Sequence, residues 1–327
     1  MYASNDIDDS ILQLQLQQLA LWVIAFASSH IGMSAIRSSI ISFLGQSAQS
    51  LNLVNNTEWR LPSWWPGDSL GGNQIFPDVL TAGRQMYRAI YTFVSFVTLG
   101  SAFGTYLDVA SIQQPAEAIV GTPLYATCLF SAALSYGAVT ASLFNASPLG
   151  LMPGFEVTAQ NNDGKDNNIG NSIQRDDTLK LKAYGLTRIT RHPLILPVVP
   201  WGLANSVLAG ERACDYILFG GLSIYAIAGC FAQDLRVMRE EGSVGTVFRI
   251  ESREKQYEKG EHGEREQLRS FFEATSFIPF QAVVDGRQRI DDIIAEVPSL
   301  QFVVGTVIGV FFEERFLQLL REWTVST

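Results

Sequence analysis

Only three histidines occur in the chain, and two of them sit where an imidazole could do chemistry. His30 lies in Ser28-Ser-His-Ile-Gly-Met-Ser34, at the end of a long apolar run. Neutral imidazole is a common metal ligand, and ionisable side chains inside membrane spans mark functional sites by default. The small neighbours would let a second helix or a flat ligand come close. A histidine near the interface, bonded to a backbone carbonyl, explains the same residue equally well. His192 closes the basic stretch Arg188-Ile-Thr-Arg-His-Pro193, which leads into the uncharged Leu194–Gly210. Capping and headgroup contact are its first reading, ligation its second. His262, between Glu261 and Gly263 in a strongly charged stretch, reads as solvated. Cys128, Cys214 and Cys230 have no paired spacing, so neither a disulfide framework nor a metal-cysteine motif is present. Gly71-Gly72 lacks the following Lys-Ser/Thr of a phosphate loop.

The elements that must position these groups follow from composition. The chain has 327 residues, 47% hydrophobic and only 17% charged, where soluble domains carry about a quarter charged. A bilayer span needs about 20 apolar residues. Such runs occur at roughly 11–36, 86–107, 122–146, 193–210, 215–232 and 297–312. This predicts an all-α integral membrane protein with about six transmembrane helices; a large soluble helical protein is the competing reading. In the run 193–210, Pro193 suits a first helical turn, whereas Pro197 and Pro200 remove helix hydrogen bonds. Membrane helices tolerate this where neighbours satisfy the freed carbonyls, so an interrupted intramembrane helix with His192 at its mouth is expected. Gly100 with Gly104, and Gly305 with Gly309, have the small-xxx-small spacing of close helix contacts.

Loop charges agree with six spans. Lys and Arg crowd the loops 37–85, 147–192 and 233–296, whereas the opposite side holds only Arg212 and the tail residues Arg315 and Arg321. The positive-inside rule then puts both termini opposite the basic loops. The net charge of −9 comes from acidic residues mixed into those same loops. No basic stripe stands clear of them, which argues against a nucleic-acid partner. The acidic N-terminus lacks the basic region of a signal peptide. Trp59, Trp64 and Trp65 suggest a re-entrant or surface-lying segment within 37–85. Residues 155–182 read as a surface loop, and 236–270 as a solvated helix. The apolar run before Asp285-Gly286 reads as a strand or buried loop closed by a turn. Glu313-Glu314-Arg315 marks the boundary of the last span.

Three stretches together resemble the 15-cis-zeta-carotene isomerase family of NnrU-type membrane proteins. They are Ser29-His30-Ile31-Gly32 with Arg37; Arg188 to Pro193; and Thr275-Ser276 through Pro279-Phe280 to Asp285-Gly286-Arg287-Gln288. Tyr87-Arg88, Val94-Ser95, Asp234 and Arg236 fit between them in order. The resemblance implies one NnrU-like membrane domain over 1–327, with insertions at about 38–80, 155–182 and 240–265. It further implies a plastid enzyme of envelope or thylakoid that turns the central cis double bond of a poly-cis carotene to trans, using haem b. The family's axial histidine in the first span maps onto His30. Its second maps onto Asn205, and a nearby family cysteine onto Gly202. Two further family histidines fall on Val109 and Ile224, so the chain is a divergent member. Asn is a poor iron ligand, which leaves three arrangements: haem on His30 alone, His192 as second ligand, or no haem. The same departures motivate an alternative, a non-catalytic pigment- or haem-binding subunit of a larger photosynthetic membrane complex.

Overall fold

A computed structural model describes residues 3–54, 76, 78–113, 120–144, 156–157, 173–174, 183–238 and 269–326. The long apolar runs fold as helices, and local chemistry sets where several begin. α1 spans Ala3–Ala35 and, after a break at Ile36, α2 spans Arg37–Ser50. α3, Val79–Ile112, opens on Asp78, whose Oδ1 accepts from the backbone N–H groups of Leu80 and Thr81. α4, Pro123–Leu143, opens on Thr122, whose hydroxyl accepts from Tyr125 N–H. Both are side-chain N-caps, which satisfy donors the helix cannot.

The helix expected over 193–210 starts later. Pro193–Pro197 form turns, and α5 covers only Val198–Leu208. Pro197 is its N-cap and Pro200 lies in its first turn. There the missing N–H groups fall among donors that have no helical partner anyway. The interruption therefore sits at the mouth of the helix, not inside it. α6, Ala213–Asp215, a π-helical stretch, Tyr216–Gly220, and α7, Gly221–Met238, run on as one apolar rod. α8, Gln281–Val284, α9, Ile290–Glu296, and α10, Ser299–Ser326, follow. The region before Asp285 is thus a loop and a short helix rather than a strand. Residues 156–157 and 173–174 form a two-residue antiparallel pairing.

Four helical stretches are long and apolar enough to cross a bilayer: Ser10–Ala35, Val79–Ile112, Pro123–Leu143 and Ala213–Arg236. A fifth arises if Ile290–Glu296 and Ser299–Trp323, bent by 75° at a break containing Pro298, count as one. The six expected spans reduce to these four or five because the 11 residues of α5 reach only about 16 Å. The several apolar helices, with exposed Phe96, Ile224, Phe231, Val303, Val307 and Phe311 on their flanks, fit an integral membrane protein.

α1 and α3 run antiparallel, since Tyr87 OH donates to Met33 O while Ser95 meets His30. α1 and α7 run parallel, through the Phe26–Tyr225 ring pair and Arg236 Nη1 on Ser34 O. α4 and α10 form the most extensive helix pair. A Cβ at Gly309 would lie 2.6 Å from Tyr136 Cβ, and one at Gly305 would collide with Thr140. The spacing of Gly305 and Gly309 therefore does serve close packing. Gly100 and Gly104 do not: a Cβ at either would meet nothing within 4 Å. Residues 37–50 are a helix packed on α3, with Gly45 and Gly83 at the contact. Trp59, Trp64, Trp65, Gly71-Gly72, most of 155–182, and 239–268 with His262 lie outside the described residues.

Candidate functional site

The two later sequence motifs meet at the basic end. Arg188 holds Glu296 through Nε–Oε2 at 2.7 Å and Nη2–Oε1 at 2.6 Å, and its Nη1 donates to Gln288 Oε1. The Glu296 carboxylate raises the guanidinium pKa above its ordinary value. Thr190 Oγ1 donates to Phe277 O, Arg191 N–H to Ser276 O, and Phe280 N–H to Ile189 O. Phe280 has φ of 64°, a left-handed conformation uncommon outside glycine. The Arg191 guanidinium lies 4.6 Å over the Phe272 ring and 3.4 Å from Asp234. Burial pushes its pKa down, and the Asp234 charge works against that shift. Nearly every polar group here is used within the cap, so this region clamps helix ends together.

His192 belongs to that clamp. It is 2% exposed, with Nε2 2.9 Å from Asp234 Oδ1 and the Phe277 ring edge-on at 5.6 Å. Its Nδ1 is buried without a hydrogen-bond partner. No flat ligand reaches so closed a ring.

His30 is different. Ser95 Oγ lies 2.6 Å from Tyr91 O and 3.0 Å from His30 Nδ1. A hydroxyl carries one hydrogen, and a carbonyl can only accept. The Ser95 proton therefore goes to Tyr91, and His30 Nδ1–H donates to Ser95. That assigned tautomer leaves Nε2 with its lone pair and, among the described residues, no hydrogen bond. Phe26, Tyr91 and Tyr225 hold the half-buried ring at centroid distances of 5.0, 4.2 and 5.5 Å. Below it Arg37 stacks on Tyr87 at 5.5 Å, and Arg236 ties α7 to Ser34. A hydrogen bond on the other ring nitrogen that fixes the tautomer is what an imidazole ligand requires.

Asn205 lies elsewhere. It is fully buried, its Nδ2 donates to Trp201 O at 3.0 Å, and it reaches the Glu313 carboxyl. Glu313, expected at a span boundary, is also fully buried. Gly202 sits where α5 touches the π-helical stretch: a Cβ there would lie 2.5 Å from Phe219 O and collide with Ser223 Oγ. Val109 is core, and Ile224 is 70% exposed. Gly220 faces Ser206 and Gly221 faces Val23, which puts Asn205 level with Val23. That is seven residues, or about 10 Å, from His30 along α1. A shallow groove of about 500 Å³ lined by Arg88, Ala89, Thr92, Phe93 and Phe96 opens along α3.

The match with known families covers residues 78–308 and is to the family described as NnrU protein. The chain belongs to the NnrU protein family. No curated protein and no solved structure matches it. In this NnrU protein the matched region takes in Ser95, His192, Asn205 and Asp234, while α1 with His30 lies before it.

Haem b can be weighed against the donor set. His192 is sealed against Asp234, and Asn205 is held by Trp201. Among the described residues no group of three or more His, Cys, Asp or Glu surrounds a metal position. Of these side chains in this NnrU protein, His30, through Nε2, is the one that would hold a haem iron. Tyr91 and Ser95, spaced i and i+4 on one face of α3, were the legible sign of His30's partners. Glu313 carried no sign, because its burial depends on how α4, α5 and α10 meet.

Proposed function

We propose that this protein is a 15-cis-zeta-carotene isomerase-like membrane protein that turns the central cis double bond of a poly-cis carotene to trans, with haem b held by His30 alone. The observation that carries this reading is the free Nε2 of an imidazole whose tautomer and plane are fixed by Ser95 and three rings. When bound, the haem iron would supply the transient loss of double-bond character that rotation within a polyene needs, without net redox change in the substrate. Ser95 keeps the proton on Nδ1, so the Nε2 lone pair stays available. Phe26, Tyr91 and Tyr225 keep water from the ring. Exposed Ile224, Ile227 and Phe231 near Tyr225 offer an apolar approach from the lipid, the only phase that dissolves a C40 hydrocarbon. The location that goes with this reading is a plastid membrane, envelope or thylakoid, with both termini opposite the basic loops. Expression in a host that accumulates tri-cis zeta-carotene tests it. Recovery of downstream carotenes supports the proposal, and a host profile left unchanged by well-folded protein overturns it.

A second reading is favoured by Asn205, a poor iron ligand already held by Trp201. On that reading the protein is a non-catalytic pigment- or haem-binding subunit of a photosynthetic membrane complex. Co-purification with such a complex and no isomerisation would select it, and solitary purification with activity would exclude it.

A further inference from the structure

We infer that Glu313 and Asn205 form a proton-binding site inside the helix bundle, in which Glu313 carries a proton on Oε1 and donates it to Asn205 Oδ1. The site is separate from His30 and does not rest on the proposed reaction. Glu313 lies on α10 and is fully buried. Its Oε2 accepts from Trp201 Nε1 at 3.1 Å, and Tyr136 of α4 and Asn205 of α5 reach the same carboxyl. The Asn205 amide cannot be turned over, because its Nδ2 faces the Trp201 carbonyl, which only accepts. Two acceptor oxygens are then left without a donor: Glu313 Oε1 and Asn205 Oδ1, both buried.

An ionised carboxylate at this place would need a cation, and among the described residues none faces it. Arg315, two residues on, is exposed and donates to Gln318, and Glu314 beside it is exposed. From α3, Tyr106 donates to Asp215, which also takes Arg212. From the π-helical stretch, Phe219 presents only its ring, against Phe316. Tyr136 is the titratable group that meets Glu313. A metal ion is a poorer solution, since hard cations gather about six or more oxygens and only two are unpartnered here. One proton on Oε1 satisfies both oxygens with a single O–H···O bond, and a buried carboxyl without a charge partner is neutral for the same reason.

Infrared spectra of the full chain in lipid nanodiscs, in H2O and D2O, test this. The expected result at neutral pH is a carbonyl stretch of an un-ionised carboxylic acid that shifts in D2O and is lost in Glu313→Gln. In Asn205→Leu the band moves to higher frequency, as for a carboxyl that has lost its acceptor; this second variant keeps Glu313 and serves if Glu313→Gln does not fold. Absence of a Glu313-dependent acid band at neutral pH overturns the inference. So does a band unmoved in Asn205→Leu, or a sodium-dependent rise in Tm that Glu313→Gln abolishes, which would mark a cation site.

Discussion

His192 and His30 pack against the same helix, α7, and live in opposite surroundings. His192 faces Asp234 near the end of that helix, inside a polar clamp, with 2% of its surface exposed. His30 faces Tyr225, one aromatic ring among three, with a neutral hydroxyl on one nitrogen and, among the described residues, no hydrogen bond on the other. A charged partner holds the first ring as a structural post. A neutral partner on Nδ1 leaves the second with a lone pair to offer. The motif Arg188 to Pro193, within the matched residues, thus builds the clamp, whereas the group best suited to ligation lies outside them.

The sharpest way to break this contrast is to cut the clamp. Asp234→Ala leaves Arg191 and His192 buried without their shared carboxylate and is expected to cost about 3–5 kcal/mol, read as a large fall in thermal stability in detergent. An unchanged melting curve would remove the structural role assigned to His192. Next is Gly202→Ala, whose methyl would press on Phe219 O and Ser223 Oγ. Overpacking of about 1–3 kcal/mol is expected, with any His30-dependent absorption kept in the folded fraction.

A smaller effect belongs to the N-cap of α3. Partial burial pushes the Asp78 carboxyl up, but hydrogen bonds from Thr81 and Leu80 and the charge of Arg84 outweigh it and hold the pKa below its ordinary value. The stabilisation is therefore present above the unfolded carboxylate pKa and fades as pH falls through the lower folded value. Asp78→Ala should cost at most about 1 kcal/mol near neutrality and almost nothing in acid, seen as two melting-temperature series that converge at low pH. Smallest in stability is Ser95→Ala, at about 1 kcal/mol or less for one partly buried hydrogen bond. Its larger signature is weaker ligand binding, by about 10–100-fold, as for other hydrogen-bond partners of a ligating imidazole.

Much of the architecture was legible because apolar runs and caps are local signals. The run expected from 122 begins at the Thr122 cap of α4, whereas α3 begins at its Asp78 cap, ahead of the run expected from 86; Gly305 with Gly309 marks a contact. Less legible was α5, where Pro193 read as a first helical turn and Pro197 and Pro200 as breaks within the span, whereas the helix begins only at Val198. Gly100 and Gly104 carried the same spacing as Gly305 and Gly309 yet face open space, since spacing says nothing of which face meets a neighbour. His30 was legible as a residue, but its state depends on a hydroxyl 65 positions away. Glu313 was hidden for the same reason: three helices distant in sequence create its burial.

The absorption spectrum of the purified protein, compared with those of His30→Ala and His192→Ala, separates the roles of the two histidines. The account expects a haem Soret band that His30→Ala abolishes and that His192→Ala leaves unchanged per folded molecule. A band that survives His30→Ala, or one lost with His192 instead, would contradict it.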